Sequence, residues 1–402
     1  VVGAGIGGLV AALALVDSGY RVSVHEQAVA LGEVGAGLTV SRGAQAVLGE
    51  LGLAEALRPS ASVVRANAFL HYRTGELLDG AFDHGDGATA ATPLASRNWQ
   101  MHRADLHAVL AAALRRRAPD ALHVADRLVG LDDDGAGMRL SFDGGRSTTA
   151  DIVVGADGLR STVRGLLWGN RPPRPTGQVA FRSMLDGSEA APFLGAGRAA
   201  VYYGPDRTFN RYALRGGAIV NCVAIARTGS WSDEGYDNEA DPADLVELFA
   251  GWHRDVTGLL ARSGRRLRRW ALYDRDPLPR WRQGRVTLAG DAAHPMLPFL
   301  GLGAAMAIED GFVLARCLAT ASDPVAGLDR YEALRRPRTS EVMLAARVEG
   351  ELTQSRTPER FVAATAPSRH AAFYDFDPSS LGGPPGAPST PTGPAWRRST
   401  TP

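Results

Sequence analysis

Val1-Val2-Gly3-Ala4-Gly5-Ile6-Gly7-Gly8-Leu9 opens the chain, and how it folds decides the rest. Two β-branched residues end a strand, glycines at the spacing Gly3-x-Gly5-x-x-Gly8 make a tight turn, and residues 9–18, rich in Ala and Leu, continue as a helix. Gly19 stops that helix, and the alternating stretch 20–26 predicts a second strand. Together they form a βαβ unit of a parallel sheet. Gly3 permits the turn, Gly5 lets a pyrophosphate approach the backbone at the helix N-terminus, and Gly8 lets helix and strand pack closely. Glu26 closes the second strand, about where an acid binds the ribose hydroxyls of adenosine. The unit predicts dinucleotide binding without separating NAD from FAD. Residues 1–16 also resemble a signal-peptide core, but they lack a basic start and their glycines stand at cofactor-loop spacing. Two residues before Gly3 are fewer than the roughly 4–6 of a usual buried first strand, which predicts that a few native residues precede Val1.

Two later stretches share this build, a buried strand running into glycine and aspartate. Asp151-Ile-Val-Val-Gly155-Ala156-Asp157-Gly158 is followed by Arg160, Ser161 and Arg164. Gly155 and Gly158 let the chain reverse close to a ligand, and Asp157 is placed either to cap the next helix or to hold a ligand hydroxyl. Arg285-Val-Thr-Leu-Ala289 runs into Gly290-Asp291-Ala-Ala-His294-Pro295, with Pro298-Phe-Leu-Gly301-Leu302-Gly303-Ala304 beyond it. Asp291 can accept hydrogen bonds from polyol hydroxyls, such as the ribityl chain of a flavin. The turn at Gly301 and Gly303 starts a long helix, whose exposed N–H groups and positive end suit the negative charge of a reduced flavin. His294 reads as a packed structural histidine rather than a base.

Composition sets the class. The 402 residues, 45% hydrophobic and 22% charged, describe a globular chain of two or three domains at ~150 residues each. A net charge of +1 provides no field toward nucleic acid or an anionic membrane, so neither is expected as a partner. The sequence has no lysine, so Schiff-base chemistry, a P-loop lysine and a lysine general base are excluded. Two cysteines, Cys222 and Cys317, exclude a disulfide scaffold and a Cys-rich metal site. No apolar run approaches the ~18 residues of a membrane span, and a cytoplasmic location without a bound metal is expected. The nine arginines from Arg262 to Arg285 are interrupted by Asp274 and Asp276 and read as a solvated face, not a nucleic-acid stripe. Periodicity predicts helices over 44–57, 103–117, 304–321 and 328–352. Strands over 178–185, 199–203, 210–215 and 218–226, then one helix over 242–262, predict an antiparallel sheet inserted between halves of the α/β part.

In this order the three blocks resemble the flavin-dependent aromatic hydroxylases, the single-component FAD monooxygenases that include salicylate hydroxylase, 3-hydroxybenzoate 6-hydroxylase and p-hydroxybenzoate hydroxylase. The likeness runs from Val1 to about Asp377. It takes in His102-Arg103-Ala-Asp105-Leu-His107, Tyr331-Glu-x-x-Arg335-Arg-Pro337-Arg338 and Tyr374-Asp375. The fold it implies is α/β: a Rossmann-type FAD-binding domain (1–62, 97–175 and 284–325) and an inserted antiparallel-sheet substrate domain (63–96 and 176–283). C-terminal helices (326–377) and a disordered tail (378–402) follow. The resemblance implies FAD as cofactor, NADH or NADPH as transient co-substrate, and O2 and an aromatic small molecule as substrates; a homodimer is compatible with it. It implies that O2 adds to reduced FAD as a C4a-hydroperoxide, that an electron-rich ring takes the terminal oxygen, and that water is kept out so the oxygen is not lost as H2O2.

Roles follow for the matching residues. Gly3, Gly5 and Gly8 would cradle FAD, Glu26 would bind its adenosine ribose, and the backbone around Leu128 would approach the adenine. Arg103 would lie near the pyrophosphate or ribityl chain, and Asp157 with Gly158 would serve FAD and the nicotinamide cofactor. Asp291 would hold the ribityl chain, with Gly301, Gly303 and Ala304 beside the flavin ring. Arg182, Tyr212 and Pro295 are the residues placed at the chemistry, Arg182 close to the ring face and Tyr212 as hydrogen-bond partner for a phenol; no general base is assigned. Phe181, Tyr202, Tyr203 and Tyr212 would supply an apolar lid. Three positions depart from the hydroxybenzoate hydroxylases: their substrate-side histidine falls on Thr208, their Gly-Gln-Gly is Gly301-Leu302-Gly303, and an early Asn is Gly43. These departures predict a more apolar pocket, for a larger phenol or a heteroaromatic ring. The rival readings are an FAD oxidoreductase that inserts no oxygen and a flavin-binding accessory protein without turnover. A flavin-dependent halogenase would need a lysine, and a plain NAD dehydrogenase would leave the second and third blocks unexplained.

Overall fold

Val2 lies at the centre of a parallel sheet, bridging His25 on one side and Gly155 on the other. The ladder continues to Leu122–His123 beyond Val24–His25, and to Val286–Leu288 beyond Val153–Gly155. Counted along the chain, these strands lie in the order 3-2-1-4-5, a doubly wound sheet. Val2, Val24, Val153, Val154, Val286 and Leu288 are all buried, as strands covered on both faces must be. The computed structural model describes residues 1–32, 36–63, 67–83, 98–194, 199–229, 238–264, 267–359 and 371–382. Part of the expected insert (84–97), Arg265, Arg266 and residues 383–402 of the expected tail lie outside them.

The helix Ile6–Asp17 packs against the helices Arg103–Arg117 and Gly303–Thr320. The second contact is close because it is made by glycine: a Cβ on Gly311 would sit 2.5 Å from the Ala11 amide nitrogen. The helix Gly303–Thr320 is buried on nearly every side, as an apolar helix without a polar face should be. It nevertheless carries Glu309 and Asp310 into the core. Arg335, from the long helix Pro324–Thr353, answers both, with Nη1 donating to Glu309 Oε2 at 2.7 Å and Nε to Asp310 Oδ1 at 2.8 Å. All three side chains are fully buried, and a pair of this kind holds only when every partner is present.

The insert is an eight-stranded sheet. In spatial order its strands are Asn238–Glu239, Arg268–Asp274, Arg174–Asp186, Ile219–Arg227, Arg207–Leu214, Ala199–Gly204, Asn67–His71 and Leu77–Asp83. Every pairing is antiparallel except that of Asn67–His71 with Ala199–Gly204. Pro242–Leu248 and Arg254–Ala261 cover one face. They replace the single helix expected over 242–262, because Gly251 adopts φ +79° and His253 then caps a new helix through the Asp255 amide. The helix expected over 44–57 is likewise divided into Arg42–Glu50 and Ala54–Leu57, with Gly52 at φ +68° between them.

Two further expectations are corrected. Phe181 and Tyr202 turn into the helix-covered core with Phe209 and Phe249, Tyr203 packs with Phe69 and Leu78, and Tyr212 packs with Ala199 and Leu214. The four aromatics therefore form no single lid, because alternate residues of a strand point to opposite faces. Pro378–Gly382, assigned to the tail by composition, is packed: Pro378 is buried, and Arg316 Nη1 and Thr320 Oγ1 donate to the carbonyls of Ser379 and Gly382. No described helix is long and apolar enough to cross a membrane.

Candidate active site

The three glycine–aspartate loops leave neighbouring strands of the parallel sheet and touch. Gly3 adopts φ +100°, and a Cβ there would lie 2.5 Å from the Ala156 carbonyl oxygen, so the first and second loops meet backbone to backbone. The Ala289 amide donates to the Gly155 carbonyl at 2.9 Å, and Arg164 Nη1 donates to the Ala292 carbonyl at 2.7 Å, joining the second loop to the third. Ala307, in the first turns of the helix that the third loop starts, lies against both Gly7 and Gly290. A Cβ on Gly8 would run into the Gly3 carbonyl, whereas Gly5 and Gly158 face open space.

That open region suits a large anionic group. Six described helices have eight or more residues, and four are capped by a side chain, from Ser41, His102, His253 and Asp323. The two without a side-chain cap begin at Ile6, just after Gly5, and at Gly303, at the end of the third loop. Their first-turn amides are left for an acceptor from outside the chain. Asp291 keeps solvent contact although protein crowds its carboxylate, as on the floor of a cleft. Burial pushes its carboxyl up, while His294 and Arg103 pull it down and Asp310 opposes them. Arg103 thus sits within electrostatic reach of Asp291, its own amide donating to the Ala36 carbonyl at 2.7 Å. Glycine loops and amide-rich helix starts as donors, with a carboxylate as acceptor, are the set that a flavin dinucleotide needs.

Glu26 is tied to the first loop, with Oε2 accepting from the Ala4 amide at 2.8 Å and Oε1 from the Ala28 amide at 2.9 Å. His107 Nε2 bonds the Ala4 carbonyl at 2.7 Å from the other side. It is a positioning residue that the sequence shows only as part of a motif. Leu128 is buried, and the Asp126 amide just before it donates to the Glu26 carbonyl at 2.8 Å, so this segment runs beside Glu26. Of the two uses open to Asp157, capping is realised: it accepts from Ser161 Oγ at 2.5 Å and from the Val163 amide at 3.0 Å. Its carboxyl is raised by burial against those bonds.

The short strand Gly37–Val40 spans the space between the loops and the large sheet. Gly37 lies against the Tyr212 ring, and its amide donates to Asn221 Oδ1 at 3.3 Å. Two residues on, about 7 Å along the strand, Thr39 Oγ1 lies 3.5 Å from where a Cβ on Gly301 would be. Tyr212 and the Gly301 turn therefore stand at the two ends of one ruler. Burial pushes the Tyr212 phenol well above its ordinary value, with Arg182 opposing, so it is neutral at neutral pH. Its hydroxyl makes no hydrogen bond to a described residue. The Arg182 guanidinium is stacked on Trp270, 4.4 Å from the ring centroid. His102 is paired with Gly37 across strands and is pushed down by burial. Arg182, Tyr212, His102 and Gly37 thus come together, and Pro295 is buried on the third loop between Asp291 and Gly301. The sequence reading passed over Asn221. Its signal was a lone amide in the apolar run Val220-Asn221-Cys222-Val223, where a buried polar group needs a partner. Among the described residues, no group of three or more His, Cys, Asp or Glu is placed to hold a metal ion.

Fold and site together define a flavin-dependent oxidoreductase of the doubly wound class. The family model for the FAD binding domain matches residues 1–346, and the chain belongs to that family, whose members here are FAD-dependent aromatic monooxygenases. It is 34% identical over 351 residues to the 3-amino-4-hydroxybenzoate 2-monooxygenase PtnB3 of Streptomyces platensis, covering 87% of each chain. It is 34% identical to 3-hydroxybenzoate 6-hydroxylase 1 of Aquipseudomonas alcaligenes, covering 86% of this chain and 87% of that one. A salicylate hydroxylase–substrate complex superposes with a TM-score of 0.79 at 26% identity, covering 95% of this chain and 96% of the other.

Proposed function

We propose that this chain hydroxylates an aromatic small molecule, consuming O2 and NAD(P)H. The carrying observation is that the Gly37–Val40 strand has the neutral Tyr212 phenol against Gly37 and the Gly301 turn against Thr39, two positions about 7 Å apart along it. A substrate ring lying between them would face both the large sheet and the helix start that suits a flavin ring. When bound, FAD supplies the redox chemistry and the oxygen activation that no side chain here offers.

The chain's own residues bind, orient and exclude water. Gly3, Gly5 and Gly8 with the uncapped helix start receive the pyrophosphate, and the remaining lone pairs of Glu26 hold the adenosine ribose beside the Leu128 segment. Asp291 accepts from the ribityl hydroxyls, and Arg103 balances charge there. Asp157 and Gly158 shape the second loop along the cofactor. The amides of 301–304 meet the negative edge of the ring. Tyr212 Oη keeps its proton and hydrogen-bonds the phenol of the substrate. Arg182, steadied by Trp270, lends positive charge to that oxygen as its proton loosens. Pro295 and the apolar segment after it keep water from this side.

The test is product mass under 18O2 with a panel of phenols. Label in the product, matched to NAD(P)H consumed, is expected. An oxidised product without label, or a silent panel while FAD stays bound, overturns the reading.

A further inference from the structure

The C-terminal segment 371–382 reaches the third glycine–aspartate loop, where Tyr374 Oη donates to the Leu300 carbonyl at 2.6 Å. Tyr374 is half-buried, packs against the main core, and is held from both flanks. On one side Arg338 Nη2 donates to the Phe373 carbonyl at 2.8 Å. On the other, Asp375 pairs with Arg42, and the Phe376 ring carries the Arg338 guanidinium 3.8 Å from its centroid. The Phe376 carbonyl and Pro378 then press on Gly43, where a Cβ would have no room. What these ties hold in place is the Leu300 contact. The Leu300 carbonyl and the Gly301 amide belong to one planar peptide unit. Its N–H donates to the Pro298 carbonyl at 3.0 Å, closing a turn in which Gly301 has φ +64°. Its C=O, on the opposite edge, is the group that accepts from Tyr374. A peptide bonded on both edges is fixed in orientation; without the tyrosine hydroxyl a single bond opposes its rotation. The amides of Leu302, Gly303 and Ala304 follow directly from that plane and start a helix that has no side-chain cap. Gly301 is exposed, and Gly303 and Ala304 are half-buried, so this edge is open to a ligand.

We infer that Tyr374 is a positioning residue: by fixing the Leu300–Gly301 peptide it aims the amides of Leu302, Gly303 and Ala304 at the negative edge of the flavin ring. This rests on the proposed placement of that ring at the Gly301 turn, and it brings the C-terminal segment into the cofactor site. A dipole stabilises charge best when it is already aimed, because an amide that must reorient gives back part of the gain. Amides held in place by Tyr374 therefore favour reduced FAD, whose added negative charge they meet, over oxidised FAD. The segment 371–382 acts on the redox balance of the cofactor through the turn.

The experiment measures the two-electron midpoint potential of the FAD-loaded protein against a reference dye, together with FAD affinity and the urea midpoint. Tyr374→Phe removes the hydroxyl and keeps the ring that packs on the core. It is expected to shift the reduction equilibrium about fivefold toward oxidised FAD, the scale of one lost hydrogen bond, which is about 20 mV for a two-electron couple. A hydrogen bond that served stability alone would lower the urea midpoint and leave the potential where it was. That result, or a raised potential, overturns the inference. Gly301→Ala, which strains the turn itself, separates this inference from the reading beneath it. If Gly301→Ala changes the potential or releases FAD while Tyr374→Phe keeps the wild-type potential, the turn meets the cofactor and this inference alone fails. If neither variant changes potential or FAD affinity, the placement of the ring fails with it. The potential is read without substrate or O2, so label incorporation from 18O2 decides the hydroxylase reading separately.

Discussion

Gly37 presents a bare α-carbon to the Tyr212 ring, so a methyl group there must push the ring away from the space it borders. Gly37→Ala is expected to lower kcat/KM about tenfold with FAD affinity unchanged, because the ring can tilt while the backbone need not; steady-state NAD(P)H oxidation and a flavin titration check both halves. Asp310 shows a different economy of single residues. Burial alone would raise its carboxyl, but His294 and Arg335 beside it hold it at about 2. Since the ordinary value is ~3.9, folding favours the ionised form. The stabilisation is complete above about pH 4 and is lost as pH falls toward about 2. Asp310→Asn is therefore expected to be less stable than wild type at neutral pH by about 3 kcal/mol or more, since it also strands Arg335. That gap should narrow as the wild-type carboxyl takes up its proton, which urea midpoints across this range would show. A gap independent of pH would mean that the carboxylate charge contributes nothing.

Helices and strands were legible where periodicity is local. The helix Arg103–Arg117 and the strand Ala199–Gly204 stand where residue pattern puts them. The breaks at Gly52 and Gly251 were not legible, because a lone glycine in an apolar periodic stretch allows a positive φ without requiring it. Face assignment in the large sheet failed for Phe181 and Tyr202 for a similar reason: alternation says which residues share a face, but not which face meets the cofactor part. At this scale the contact between the helices Ile6–Asp17 and Gly303–Thr320 is the most exposed to test. Gly311→Val places branched carbon against the Ala11 amide and must separate the helices. It is expected to cost about 1–3 kcal/mol in urea unfolding and to weaken FAD, since both uncapped helix starts belong to this pair. Unchanged FAD affinity would show that the pair does not set the cofactor site.

As a whole, the molecule links its glycine-loop region to the large sheet through the short Gly37–Val40 strand, and a cofactor bound at the loop edge should stabilise it by mass action. FAD at a thousandfold excess over its Kd is expected to add about 4 kcal/mol to unfolding, and Asp291→Ala should reduce that gain, as thermal unfolding with and without FAD would show. An equal gain in the variant would remove Asp291 from the cofactor site. The glycine spacing of Gly3, Gly5 and Gly8, the two later glycine–aspartate turns and the absence of lysine already determined a doubly wound dinucleotide fold and excluded lysine chemistry. They could do so because steric room for a turn, and the presence of a functional group, are properties of the local chain. Only tertiary structure decided that Asp157 is spent on a helix cap, that Glu309 and Asp310 are matched by Arg335, and that Asn221 meets Gly37. Residues 184 positions apart acquire a common environment only when the two sheets dock, and no local pattern encodes which faces do so.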